Sequence, residues 1–204
     1  MERAGSIRVE GGGSRWLRLG WLGALGLALL YAPFGRSEEP AKFSEYQVKG
    51  AFLVKFAMFI EWPAGTFPDP RSPIRLGIFG DDPFGPEFEK ALQREVANGR
   101  PFVLQRCQKP QEAAECHILF ITTSEAGHLA KILEAVRGKP VLTVGDQEGF
   151  AEHSGMINFF KEGGKVRFEV NAAAIQEARL KVSAKLQQVS RPVAAKADGG
   201  GVTR

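Results

Sequence analysis

The chain has 204 residues, 44% hydrophobic and 25% charged, which suits one globular domain with a real core and leaves two domains cramped. A formal net charge of +4 points toward nucleic acid, but the excess is local: residues 1–37 hold five arginines against two glutamates, leaving 22 basic and 21 acidic side chains elsewhere. With the basicity confined to one terminus, a nucleic-acid partner loses its main support.

In chain order, the first feature is an export signal over residues 1–37. Arg15 and Arg18 precede the apolar run "LGWLGALGLALLYAPFG", and Gly35 and Ser37 are small residues suited to a cleavage point. An uncleaved anchor is the other reading, because Trp16 to Phe34 is just long enough to span a bilayer. Gly and Pro in the run and the polar sequence after it favour cleavage near residues 36–38, and the mature domain is expected over 42–190.

The pattern then predicts a helix from Phe43 to Ile60, ended by Pro63. Phe52, Phe56 and Phe59 share one face, and Leu53, Ala57 and Ile60 follow one residue behind, so the apolar arc is wide. Such a helix is normally buried. The alternative is that part of it faces a partner, with Phe52, Phe56, Phe59 and Trp62 as the contact residues. "PIRLGIFG" (73–80) reads as a buried strand, followed by the turn "DDPFG" and a helix from Pro86 to Val96. "RPFVLQRC" and "CHILFIT" read as two further strands joined by a polar loop, and Ser124 is placed to cap a helix running to Val136. "KPVLTVGD" is a strand, "QEGFAEHSG" a loop, and "MINFFKEGGKVRFEVN" a hairpin around Gly163–Gly164. A last helix is expected from Ala172 to Val189, and a disordered tail over 191–204. This alternation predicts a single α/β domain with a mixed, mostly parallel sheet flanked by helices and an antiparallel hairpin near the C-terminus.

Little in the chain suggests catalysis. There is no phosphate-binding GxxxxGK[ST] loop, no GxGxxG after a strand and no GxSxG elbow, and no cofactor or metal is expected. Cys107 and Cys116 flank the loop "QKPQEAAE" and are the only intrachain pair available. In an oxidising compartment they are expected to form a disulfide worth roughly 2.5–3 kcal/mol on the chain-entropy model; two free thiols are the other reading. The carboxyl ends of parallel strands are where ligands bind in such sheets. Asp82 and Phe84 in one strand-end segment, and Phe150, Glu152 and His153 in another, are therefore the candidates for a small-ligand site. As a hydrolase, the chain would have only Asp81, Asp82, Glu152 and His153 to offer.

The blocks "YQVKGAFLVKFAMFIEWP", "LGIFGDDPFG", "CHILFI", "PVLTVGDQEGFAEHSGMINFF" and "GGKVRFEVN", together and in this order, resemble the YfiR family. The resemblance covers roughly Tyr46 to Val189. It implies a non-enzymatic periplasmic regulator that engages and represses the sensory domain of an inner-membrane signalling protein. That receptor is a diguanylate cyclase, with a sensor kinase as the variant, and the output is cyclic di-GMP and biofilm behaviour. It further implies that an outer-membrane lipoprotein draws the repressor away. A homodimer through the aromatic helix, and a small ligand with or without a receptor, are the remaining partner expectations.

Overall fold

A computed structural model describes residues 43–193; the expected export segment and the residues beyond Val193 lie outside the described residues. The first helix, α1 (Glu45–Phe59), starts where Ser44 Oγ accepts the Gln47 N–H at 3.2 Å and Gln47 Oε1 accepts the Ser44 N–H at 2.7 Å. This reciprocal pair satisfies two orphan donors of the first turn. Ile60 is already extended and opens a two-residue strand, β1 (Ile60–Glu61).

There follow β2 (Ile74–Phe79), α2 (Pro86–Leu92), β3 (Val96–Ala97), β4 (Arg100–Cys107), a short α3 (Pro110–Ala113) and β5 (Ile118–Ile121). A 3-10 segment (Thr123–His128) leads into α4 (Leu129–Val136), then β6 (Leu142–Gly145), β7 (Ile157–Glu162) and β8 (Lys165–Val170). The chain ends with α5 (Ala172–Glu177), β9 (Lys181–Val182), α6 (Ala184–Val189) and β10 (Arg191–Pro192).

The main sheet runs β10-β8-β7-β6-β5-β2-β4-β3. Its five central strands, β4, β2, β5, β6 and β7, are parallel. β8 returns antiparallel from β7 through the Gly163–Gly164 turn, where both glycines have positive φ. The fold class is therefore the expected one. β5 and β6, at the middle of the sheet, are buried along their whole length, as strands covered on both faces are. In β2, Leu76 and Ile78 enter one core with α1, α2, α5 and α6, while Phe79 enters a second with α3 and α4. β5 divides likewise, with Ile118 and Phe120 on the first side and Leu119 and Ile121 on the second.

Four local expectations are corrected. The helix expected over 172–189 is two short helices separated by Arg179, at φ +59°, and by β9, which pairs antiparallel with β1; Ser183 caps the second piece by accepting the Leu186 N–H. The helix expected over 86–96 stops at Leu92, because Asn98–Gly99, both at positive φ, turn β3 back onto β4. Ser124 lies inside the 3-10 segment and does not cap it; its Oγ accepts the Asp81 N–H at 3.0 Å instead. Arg191 and Pro192, expected in the disordered tail, pair with β8.

Candidate functional site

Charge pins the first turns of α1 to the carboxyl end of the sheet. Lys49 is only 4% exposed, and its Nζ lies 2.6 Å from Glu45 Oε1 and 2.7 Å from Asp146 Oδ2. Asp146 follows β6 directly, where a strand-end backbone delivers its side chain under the helix. The Tyr46 hydroxyl donates to the same Asp146 oxygen at 3.0 Å, and Lys49 Nζ sits 4.5 Å from the Tyr46 ring centroid. Burial, then the Asp146 charge, pushes the Tyr46 phenol up to about 12. Hydrogen bonds from Lys161 and Lys49 hold the Glu45 carboxyl below its ordinary range.

Past the other end of α1 the anchor is aromatic. Trp62 packs edge-on against Phe67 at 5.8 Å and against His117 at 6.4 Å, and Phe67 stacks on the His117 ring at 4.4 Å. The Arg100 guanidinium lies 3.9 Å from the Phe67 ring centroid. His117 Nδ1 accepts the Arg75 N–H at 2.9 Å. Burial, then the positive charges of Arg75 and Arg100, depresses its pKa to about 4, partly offset by a hydrogen bond with the Thr66 backbone. The imidazole is thus neutral at ordinary pH.

Between these anchors α1 presents Gln47, Ala51, Lys55 and Met58 to solvent, with Phe52, Val54 and Phe59 half-buried at the borders. Met58 is 52% exposed. Of the four expected contact residues, Phe56 is corrected to the core. It is 0% exposed and packs on Phe159 at 5.7 Å and Phe168 at 5.1 Å, so it cannot touch a partner. Phe52 stacks against Phe56 and meets Phe168 edge-on. Phe59 borders the outer face, with the Lys185 ammonium 5.9 Å from its ring centroid. Trp62 belongs to the aromatic anchor.

The five expected ligand residues are not brought together. The Asp82 carboxylate is held by Arg106 at 2.9 Å and accepts the Phe84 N–H at 2.9 Å. Phe84 packs between Phe88, Phe120 and Tyr46, in the α1-side core. Phe150 is corrected from a ligand cover to a core residue of the other face. It is 0% exposed, and a Cβ on Gly145 or Gly155 would lie within 2.5 Å of its ring. Those two glycines exist to let the ring in. Glu152 and His153 are exposed, and His153 donates its Nδ1–H to the Gly149 carbonyl at 2.7 Å. His153 does line a cavity of about 250 Å³ beside α4 and α5, with Thr143, Ser154 and Met156.

A larger cavity of about 430 Å³ opens at the carboxyl ends of β2 and β4. It lies at the switch point, where the strand order turns from β2 toward β4 on one side and β5 on the other. Gly80 and Asp81 after β2, Cys107 at the end of β4, Glu125 and His128 of the 3-10 segment, and Lys131 of α4 line it. Cys107 and Cys116 are buried free thiols with their sulfurs 3.7 Å apart. They meet over Gly77 of β2, whose missing side chain makes the room: a Cβ there would lie 2.5 Å from Cys116 Sγ and 3.2 Å from Cys107 Sγ.

Sequence reasoning found the aromatic helix and the cysteine pair but missed the Tyr46–Lys49–Asp146 cluster and the neutral His117. The signal for the first was present. Lys49 stands four residues before the buried Leu53 and seven before Phe56, on the inward face, where a lysine needs a carboxylate partner.

The profile of the YfiR/HmsC-like family matches residues 46–191. The chain belongs to this family. No curated protein matches it. The matched span runs from Tyr46 to Arg191 in β10, so Tyr46, Lys49 and Asp146 of the charged anchor, the aromatic anchor, the outer face of α1, both cysteines and the switch-point cavity lie within the family domain. Among the described residues, no group of three or more His, Cys, Asp or Glu side chains is placed to hold a metal ion, and no helix is long and apolar enough to cross a membrane.

Proposed function

We propose that this YfiR/HmsC-like protein is an exported, non-catalytic regulator that grips the sensory domain of an inner-membrane signalling protein, a diguanylate cyclase. Family membership over residues 46–191 carries the reading: the resemblance implies a periplasmic regulator of cyclic di-GMP signalling. The geometry supports it through α1, a helix held at both ends whose outward face carries Ala51 and Met58, bordered by Val54 and Phe59, with Gln47 and Lys55 as its polar members. Binding one receptor conformation shifts its equilibrium only by the difference in affinity between conformations. About 3 kcal/mol of such difference changes a two-state ratio roughly 150-fold, which is ample for repression.

Two further readings belong with it. Cys107 and Cys116 close as a disulfide in the exported protein, supported by sulfurs already side by side over Gly77. A small ligand at the switch-point cavity, supported by its volume and position, is the second reading of the function, alone or as a gate on the receptor contact. An outer-membrane lipoprotein as the releasing partner and a homodimer through α1 follow from the resemblance and from the same outward face.

The test is capture of the receptor. Detergent-solubilised inner membranes are passed over the immobilised mature domain and the bound proteins identified, while cyclic di-GMP is measured in cells with and without the gene. Retention of a membrane cyclase together with a rise in cyclic di-GMP on deletion is the expected result. Unchanged cyclic di-GMP and retention of no membrane signalling protein would reject the reading.

A further inference from the structure

The two thiols are buried alike, Cys107 at 2% and Cys116 at 3% exposure, and differ in which of them meets a cavity. Cys107 lines the switch-point cavity, whereas Cys116 is not among the residues that wall it. Cys116 Sγ is also held from behind, 3.5 Å from the Glu112 carbonyl, which accepts its proton, and it rests over Gly77 on the other side. Only 2% of Cys107 is exposed, so a reagent must enter the cavity to reach it. That favours a small molecule over the recessed active-site cysteine of a folded oxidoreductase. The cavity lining carries the Asp81 carboxylate and the Lys131 ammonium, together with Glu125 and His128, which bond each other at 3.1 Å. Such a lining matches a reagent bearing both ammonium and carboxylate groups.

We propose that the switch-point cavity is the entry port for thiol–disulfide exchange, that Cys107 is the entry sulfur, and that the co-reactant is a low-molecular-weight zwitterionic disulfide. Cys107, as the thiolate, attacks one sulfur of the external disulfide, forming a Cys107 mixed disulfide and releasing one thiolate. Cys116 gives up its proton and attacks the Cys107 sulfur across 3.7 Å, forming the Cys107–Cys116 bond and expelling the second thiolate. The protein dithiol loses two electrons and two protons, and the external disulfide becomes two thiols. Reduction runs through the same port in reverse. The acidities agree with the geometry: the contact between the two sulfurs draws the Cys107 pKa down, while the same contact and burial push that of Cys116 up. Entry through Cys107 rests on the disulfide reading only for its second step.

Cystine is the probe. The reduced wild-type domain and its Cys107→Ser and Cys116→Ser variants are mixed with cystine, quenched with acid over time and mapped by peptide mass. In Cys116→Ser a cysteinyl adduct is expected at Cys107, and in Cys107→Ser adduct formation at Cys116, which does not line the cavity, is expected to be slower by about tenfold or more, since exchange rates follow access to the sulfur. In wild type, samples quenched early carry the adduct at Cys107 before the internal bond, so the result does not depend on either variant folding. First appearance of the adduct at Cys116, or equal rates in the two variants, overturns the proposal even if the disulfide then forms. An adduct at Cys107 that never proceeds to the internal bond leaves the entry site standing and removes the disulfide reading instead.

Discussion

The two ends of α1 are fixed to the sheet by opposite physics. At the first turns a buried lysine is matched by Asp146 at the carboxyl end of β6, with Glu45 and Tyr46 of the helix itself completing the cluster. Past the last turn, a tryptophan and a phenylalanine pack on an imidazole kept neutral at the amino end of β5. The first anchor needs its charges and the second must stay uncharged. The difference matters because the helix face between them is the surface proposed to meet a receptor, and its position is only as fixed as the weaker end.

Breaking the charged end has the largest expected effect. Lys49→Met leaves Asp146 buried with only the Tyr46 hydroxyl as a partner, and removing one member of a buried pair costs about 3–5 kcal/mol. The Lys49→Met, Asp146→Leu double variant replaces both charges with apolar volume and is expected to regain most of that loss, as buried pairs often permit. Denaturant titration of the three proteins measures both numbers. A loss below about 1 kcal/mol for the single variant would mean that the pair is solvated and holds nothing.

The aromatic end is sharpened by acid. His117 has a folded pKa of about 4 against an ordinary 6.5, so between those values the unfolded chain binds a proton that the folded protein refuses. Stability from this residue is therefore complete above about pH 6.5, falls as the pH drops, and levels off below about pH 4. The total loss is roughly 2–3 kcal/mol, since each pKa unit is worth 1.36 kcal/mol and solvent access trims the full amount. Denaturation midpoints from pH 7.5 to 4 should follow this slope, and His117→Phe should flatten it. An unchanged slope in that variant would assign the acid sensitivity to other groups.

How visible these anchors are before folding depends on distance along the chain. The long apolar helix, the buried strands of the parallel sheet and the Gly163–Gly164 hairpin are local patterns, and all were legible as elements. So were the two cysteines, nine positions apart. Lys49 and Asp146 are separated by 97 positions, and His117 owes its neutrality to Arg75 and Arg100, which reach it only through the sheet. The break at Arg179 was hidden for the same reason. Ile175, Ala178, Leu180, Val182 and Leu186 keep an apolar rhythm through it, and only the pairing of β9 with β1, some 120 residues earlier, pulls the segment out of helix. Phe56 was misplaced because periodicity marks an apolar face without saying whether solvent or another sheet lies opposite, and Phe150 because a strand-end loop position does not show that Gly145 and Gly155 open the core to its ring.

The smallest effect on stability is expected from the stretch between the anchors, and there the effect on binding should be large. Met58 is half exposed and its neighbours Ala51 and Lys55 are open to solvent, so Met58→Glu should move folding stability by no more than about 0.5 kcal/mol. If this face is the receptor contact, the new carboxylate must be desolvated against the partner, and affinity should fall by roughly tenfold or more, as at other apolar interface positions. The two anchors make the result interpretable, because they hold the helix in place whatever its outer face carries. Equal affinity for wild type and Met58→Glu, measured with the captured receptor domain at matched folding stability, would move the contact surface off α1.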